Sequence, residues 1–408
     1  MNRLAKAAVV VLSVIVFLYV GLGYVLGKTT DDNKAYRSLT VYGEVLQHIQ
    51  EDYVDEPNMS LVTAGALHGL LESLDPLSGY LSPKEYADYR MREKSGPRAE
   101  TGVTLSKRFG YIIVVSVLPY GPAEHAGLRS GDLLESIGGF STRDMSVAQA
   151  TMLLEGTPGS TAQVAAIRRG SSAPQPISIT RQAIPQQHVV ADRVTEDTAY
   201  IRLPVLDAGV TSELRNKLVQ FDQKGVHKLI LDLRDCSSGP DAEGIAAAKL
   251  FLSAGKITVL QGQTVPRQES DAAPDKVVWR APMEVLTSPS TSGAAEILAA
   301  AIGGDKRGDV VGERTFGSAS QQKVIPLDDG GALVLTDAFY YTPDGKSIVD
   351  NGVAPTVEVR LAPLDDVAGE DAEPPPPLAP GQLPHMDDPV LNKALQLLNS
   401  SSSQRKAA

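Results

Sequence analysis

Cysteine is almost absent from this chain: Cys236 stands alone among 408 residues, so no disulfide can form within it. Histidine is nearly as scarce. His48, His68, His125, His188, His227 and His385 lie far apart, and neither His-x-x-x-His nor Cys-x-x-Cys spacing occurs, so nothing points to a metal site or a cofactor. Lys and Arg (38) are outnumbered by Asp and Glu (49), giving a net charge of −11. With no basic cluster anywhere, nucleic acid is not expected as a partner. The acidic excess means a well-solvated surface and says little more. The 42% hydrophobic content is ordinary for a chain with real cores, and the length suits two or three domains.

Charge is missing altogether from Ala7 to Leu26, a largely apolar run that as a helix would be about 30 Å long and match a bilayer core. Arg3 and Lys6 precede it, which puts the N-terminus in the cytoplasm. Residues 1–30 are therefore expected to be a transmembrane anchor or a signal peptide. Signal cores are usually shorter, and Gly21 to Lys28 lacks a clean Ala-x-Ala site, which favours the anchor. Gly23 and Gly27 form a Gly-x-x-x-Gly, a hint of helix pairing. The expectation is a single-pass protein of the cell inner membrane, its bulk on the periplasmic or extracytoplasmic side.

Residues 33–95 read as helical, with Tyr42, Val45, Leu46 and Ile49 and then Ala64, Leu67, Leu70 and Leu71 at helical spacing. Pro76 and Gly79 break the pattern with a turn. From 99 to 185 the signals change. The strand-like run Ile112 to Leu118 precedes GPAEHAGLRSGDLLESIGG. Ser146 is a plausible N-cap before the helix VAQATMLLE, and VAAIRR reads as a closing strand. From 188 to 360 strands and helices alternate: AYIRLP is a strand, Thr211 to Lys224 an amphipathic helix, and KLILDLR a buried strand ending at Arg234, as in βαβ units. Residues 361–386 are an acidic, Pro-rich linker (Asp365 to Glu373, then Pro374 to Pro377). Residues 387–408 read as a short helix from Asp387 and a frayed tail.

The run VLTSPSTSGAAEILAAAIGGDKRGDVVGERTFGSASQQ, Val285 to Gln322, resembles without a gap the catalytic segment of the C-terminal processing (tail-specific) serine peptidases. EVLQHIQEDYVDE with SLDPLSGYLSP, and everything from Lys323 to Val359, resemble the same family, while the Gly-Pro-Ala-Glu-x-Ala-Gly-Leu-x-x-Gly-Asp run resembles bacterial PDZ domains. The resemblance covers roughly residues 35–398. It implies an α+β / α/β multidomain chain: membrane helix, helical segment, PDZ domain and a crotonase-like βαβ spiral peptidase core. It also implies self-association through the terminal helical parts, as a homo-oligomer or with an active homologue.

The family's nucleophile is the serine three residues before the glutamate, here Glu296, so the resemblance puts Gly293 at that position. The general-base lysine position, after Phe316 and Gly317, is Ser318. Glycine has no atom to attack with, and a hydroxyl cannot replace a desolvated amine as base. Gln322, like the residue that orients the lysine, is retained. The family's Asn-Pro-Gly-Gly oxyanion loop is here Cys236, Ser237, Ser238, Gly239, leaving Ser238 and Gly239 as its remnant. For the PDZ module the resemblance implies capture of polypeptide C-termini by an added strand, with Gly102, Val103 and Thr104 as the carboxylate loop and Ala150 and Leu154 lining the groove. Thr104 replaces a second glycine there.

Two functions stay open. One is a pseudopeptidase that binds chain ends without cutting them. The other is an active serine endopeptidase with a displaced dyad, its nucleophile Ser292 (or Ser290) and its amine Lys323 or Lys306. Cys236 reads as a small loop residue, and Arg234 as the neutraliser of Asp232 or the cap of its strand.

Overall fold

The computed structural model describes residue 16 and residues 38–95, 99–108, 110–143, 145–171, 173–360 and 388–407. The expected membrane segment 7–26, residue 16 apart, and the linker 361–386 lie outside the described residues. Among the described residues, no helix is long and apolar enough to cross a membrane. The chain divides into two compact units, Met1–Ala66 and Leu67–Ala408. The first contains helix α1 (38–52), laced by His48–Asp52 and Gln47–Glu51 pairs one turn apart, and the start of α2 (Met59–Glu72).

The second unit holds the rest. After α2 comes a strand that the helical periodicity did not reveal. β1 (Gly79–Leu81) pairs antiparallel with a distant strand, Gly79 opposite Val334. The turn read at Pro76 and Gly79 is thus also the entry to a sheet, a long-range pairing that no local pattern encodes. Helix α3 (Pro83–Ser95) follows.

A small antiparallel sheet comes next, built from β2 (Val103–Arg108), β3 (Tyr111–Val117), β4 (Leu133–Ile137), β5 (Phe140–Ser141), β6 (Thr161–Ile167) and β7 (Gln175–Thr180) in the order β2-β3-β4-β6-β7, with β5 on β4. Two helices, α4 (Pro122–His125) and α5 (Val147–Leu154), close it. Ser146 caps α5 as expected: its hydroxyl accepts from the Gln149 N–H at 3.2 Å, and the Gln149 side chain accepts from the Ser146 N–H at 2.8 Å. Ile112, Val114, Leu134, Ile137, Val164 and Ile179 form the core with Ala150 and Leu154. That corrects one expectation: Ala150 and Leu154 are 0% and 2% exposed and face this core, so they do not line a groove.

A second six-stranded sheet comprises β8 (Val190–Arg193), β9 (Thr198–Arg202), β10 (Lys228–Asp232), β13 (Met283–Thr287), β14 (Asp309–Gly312) and β17 (Val357–Glu358), in the order β17-β14-β13-β10-β9-β8. All neighbours are parallel except β8, and KLILD and MEVLT are apolar enough to be buried on both faces. Alternation sorts the side chains. Ile201, Leu229, Leu231 and Val285 face α6 (Val210–Gln223), α7 (Asp241–Lys249) and α8 (Ala294–Gly304). Tyr200, Ile230, Leu286 and Val311 face Val390, Leu391, Ala394 and Leu398 of the terminal helix α9 (Pro389–Ala407).

That helix runs through the serine-rich stretch expected to fray. Its packed first half anchors a propagation that serine disfavours only mildly. A third sheet, β1-β16-β11-β12 with β15 on β16, joins β1 to β11 (Lys256–Gln261), β12 (Gln268–Asp271), β15 (Ser320–Pro326) and β16 (Ala332–Tyr341).

Candidate active site

Three loops meet where the parallel strands end. The first follows β13. Residues 288–293 form a tight turn in which the Thr291 hydroxyl donates to the Leu233 carbonyl at 2.8 Å, the Phe316 N–H to the Thr291 carbonyl at 2.9 Å, and the Ser292 N–H to the Cys236 carbonyl at 3.0 Å. The turn ends at Gly293, with φ +60° and ψ −122°, a strained strand-to-helix elbow that an L side chain rarely adopts. Space is not the obstacle: a Cβ there would meet nothing within 4 Å. The backbone therefore holds a half-buried corner that has room for a side chain and carries none.

Glu296, one turn into α8, ties this elbow to the second loop. Every residue from Ala294 to Ile302 is buried, and Glu296 is the only charge among them, 0% exposed. Its carboxylate accepts four hydrogen bonds: from the N–H groups of Gly293 (3.0 Å), Gly317 (2.6 Å) and Ser318 (2.8 Å) and from the Thr315 hydroxyl (2.5 Å). Burial pushes its pKa up, and the four donors pull it back toward the charged form. A single carboxylate thus holds positions 293 and 318 in one frame. In the sequence Glu296 stands only as a landmark for the motif. The available signal was a lone acid in an otherwise apolar helix, which must find partners.

Position 318 carries a hydroxyl. Its Oγ lies 2.5 Å from the Oγ of Ser292, and Ser292 is 4% exposed. Ser290 is also buried. Beside Ser318 a cavity of about 70 Å³, lined in part by Phe316, Phe339 and Leu77, marks room for a longer side chain. Lys306 follows the far end of α8, roughly 16 Å along the helix from the elbow. Lys323 is exposed on β15. Lys107 is held by the carbonyls of Arg143 (2.8 Å) and Met145 (3.1 Å) and by Glu72 (3.1 Å). Gln322 bonds within its own sheet, to Ser320 (3.0 Å) and Thr336 (3.4 Å), and does not reach Ser318.

The third loop follows β10. Arg234 forks onto Asp232 and onto Asp388 (2.6 Å), whose other oxygen caps α9 by accepting from Val390 and Leu391. Asp232 also accepts from the Tyr200 hydroxyl at 2.7 Å. Opposite charge at Arg234 and Arg202 holds the fully buried Asp232 below the usual carboxylate range despite its desolvation. Cys236 is 0% exposed, and burial pushes its thiol far up, so it is inert. Gly239, at φ +119°, presses on Leu206, whose carbonyl oxygen would sit 2.2 Å from an added Cβ, so only glycine fits. Ser238 donates to Asp207 at 3.2 Å.

The small sheet is bonded to both loops through β2. Ser237 donates to Thr104 at 2.8 Å and pairs with Ser116, while the Arg108 guanidinium lies 4.5 Å over the Phe316 ring and donates to its carbonyl. Gly102, Val103 and Thr104 line a cavity of about 250 Å³ shared with Asp235, Ser237 and Ser238. None of these cross-domain contacts was readable from spacing.

Two carboxyls carry a pH signature. Burial and then Glu296 push Asp241 up to about 7, and burial pushes Glu284 up to about 8 against one N–H donated by Asp309. A carboxyl whose folded pKa exceeds its unfolded value binds its proton more tightly when folded. Its contribution is complete in acid, below about pH 4, and is lost as pH rises through the folded value. Stability should therefore fall from pH 5 toward pH 9, by on the order of 2 kcal/mol per group. Asp241→Asn with Glu284→Gln should flatten that slope in urea titrations. A slope untouched by the pair would refute the assignment.

Comparison with known proteins follows this geometry. Residues 197–359 match the model described as Peptidase family S41, and residues 113–168 match a PDZ domain. The carboxy-terminal-processing protease of Bartonella bacilliformis is 30% identical over 348 residues, covering 84% of this chain and 80% of its own. The carboxy-terminal processing protease CtpA of Bacillus subtilis is 28% identical over 357 residues, 86% of this chain and 75% of its own. Among solved structures, the photosystem II D1 C-terminal processing protease superposes with a TM-score of 0.67 at 26% identity, covering 79% of this chain and 92% of that one.

Proposed function

Given that the chain belongs to the C-terminal processing peptidases of family S41, with a PDZ domain, we propose that it is a disarmed member that binds polypeptide ends and does not cleave them. The observation that carries this reading is the bare elbow: Gly293, three residues before Glu296, has no side chain, and the nearest hydroxyl pair, Ser292 and Ser318, has no amine bonded to it among the described residues. Acyl transfer by serine needs a base to take the proton. Two hydroxyls hydrogen-bonded to each other supply none.

The second reading, an active endopeptidase using Ser292, needs an exposed oxygen and a neutral amine. Ser292 is buried, and Lys306 and Lys323 are far along α8 and exposed on β15 respectively. The position of Arg108 and Thr104 on both active-site loops supports a PDZ domain that reports ligand to a silent site. The uncharged run Ala7 to Leu26 behind Arg3 and Lys6 supports anchoring in the cell inner membrane, with the domains on the extracytoplasmic side. Purified protein should leave an unfolded substrate intact by mass spectrometry while binding labelled C-terminal peptides in the micromolar range. Cleavage, or no binding of any free C-terminus, would overturn the reading.

A further inference from the structure

The cavity of about 250 Å³ between the PDZ loop and loop 235–239 has a charge of one sign. Three carboxylates line it (Glu100, Asp207 and Asp235), and no lysine or arginine does. Asp235 is partly answered from behind by Arg202 at 3.1 Å. Asp207 receives only the Ser238 hydroxyl, and the Glu100 backbone is paired with Gln182 while its side chain is exposed. The hydroxyls of Thr104, Ser116, Ser237 and Ser238 share the wall with apolar Leu118, Ile184 and Val205, so the carboxylates are its strong acceptors for a cation and the apolar residues can cover an alkyl stem.

Gly102, Val103 and Thr104 border the same space, so a polypeptide end held at that loop has its neighbouring side chains within reach of these acids. Resting on the peptide-binding reading above, we propose that the cavity selects the ligand: it takes a lysine or arginine side chain of the bound polypeptide, with Glu100 and Asp207 as specificity-determining residues. An acidic side chain at that place is repelled by the same charges, while the terminal carboxylate stays with the N–H groups of the loop. An apolar side chain brings no positive charge to Glu100 and Asp207.

The test uses the full chain and three fluorescent peptides of equal length with free C-termini, carrying lysine, norleucine or glutamate near the end. In anisotropy titrations at about 0.05 M salt the lysine peptide should bind roughly fivefold to tenfold tighter than the norleucine peptide, narrowing to about twofold at 0.5 M as screening sets in. Glu100→Gln with Asp207→Asn should abolish the ratio, and Glu100→Lys should reverse it. Both side chains are exposed, so circular dichroism should match wild type. Equal binding of lysine and norleucine peptides, or a ratio unchanged in the variants, overturns this proposal and leaves peptide binding standing. Failure of all three peptides to bind overturns the peptide-binding reading itself.

Discussion

Gly293→Ser together with Ser318→Lys should convert the chain into a peptidase, with cleavage at least about a thousandfold above either single variant. Nucleophile and base act as a unit, so restoring one without the other restores little. The elbow at φ +60° and ψ −122° accepts a side chain without collision, though at a strain of about 1–3 kcal/mol that should lower the stability of Gly293→Ser. At 318, the adjoining cavity and its phenylalanines can house a lysine stem. A lysine desolvated there would have its pKa lowered toward neutrality, as a base requires. The single variants discriminate between readings. Activity in Ser318→Lys alone would identify Ser292 as a displaced nucleophile, whereas activity confined to the double variant places the attack at 293. A folded but silent double variant would remove position 293 from the centre of the site.

Glu296→Ala should be the most destabilising change in this region. Three N–H groups and one hydroxyl lose their common acceptor in a fully buried setting, at a cost of about 3–5 kcal/mol. Glu296→Gln keeps the shape and turns one acceptor into a donor facing N–H groups, so it should cost less, about 2–3 kcal/mol. Trp279, the single tryptophan and 1% exposed within the large core, gives the fluorescence signal for a urea transition. A loss under about 1 kcal/mol for the alanine variant would mean that water or another group replaces the carboxylate, and that Glu296 does not hold the two loops together.

Local pattern was enough for β9, β10, α6, the start of α9 and the Ser146 cap, because each is written in a run of neighbouring residues. Gly293 and Ser318 lie in one unbroken run around Glu296, and the structure bonds the N–H groups of both to that carboxylate. Everything decided by partners distant in sequence was not legible in local pattern. β1 pairs with residues some 250 positions away, Ala150 and Leu154 turn to the core because of strands that close around them, and Ser237 meets Thr104 across a domain boundary. Asp241 opens α7, and nothing in its neighbouring sequence marks the burial and the nearby Glu296 that raise its carboxyl. Arg234 was expected to answer Asp232 and does, but its second partner, Asp388, lies beyond the linker.

The most direct measurement compares wild type and Ser292→Ala, each purified free of other proteases, against an unfolded protein substrate with products followed by mass spectrometry. Both should leave the substrate whole, since neither carries a hydroxyl with a base at the elbow. Fragments formed by wild type and abolished in Ser292→Ala would contradict the disarmed site outright.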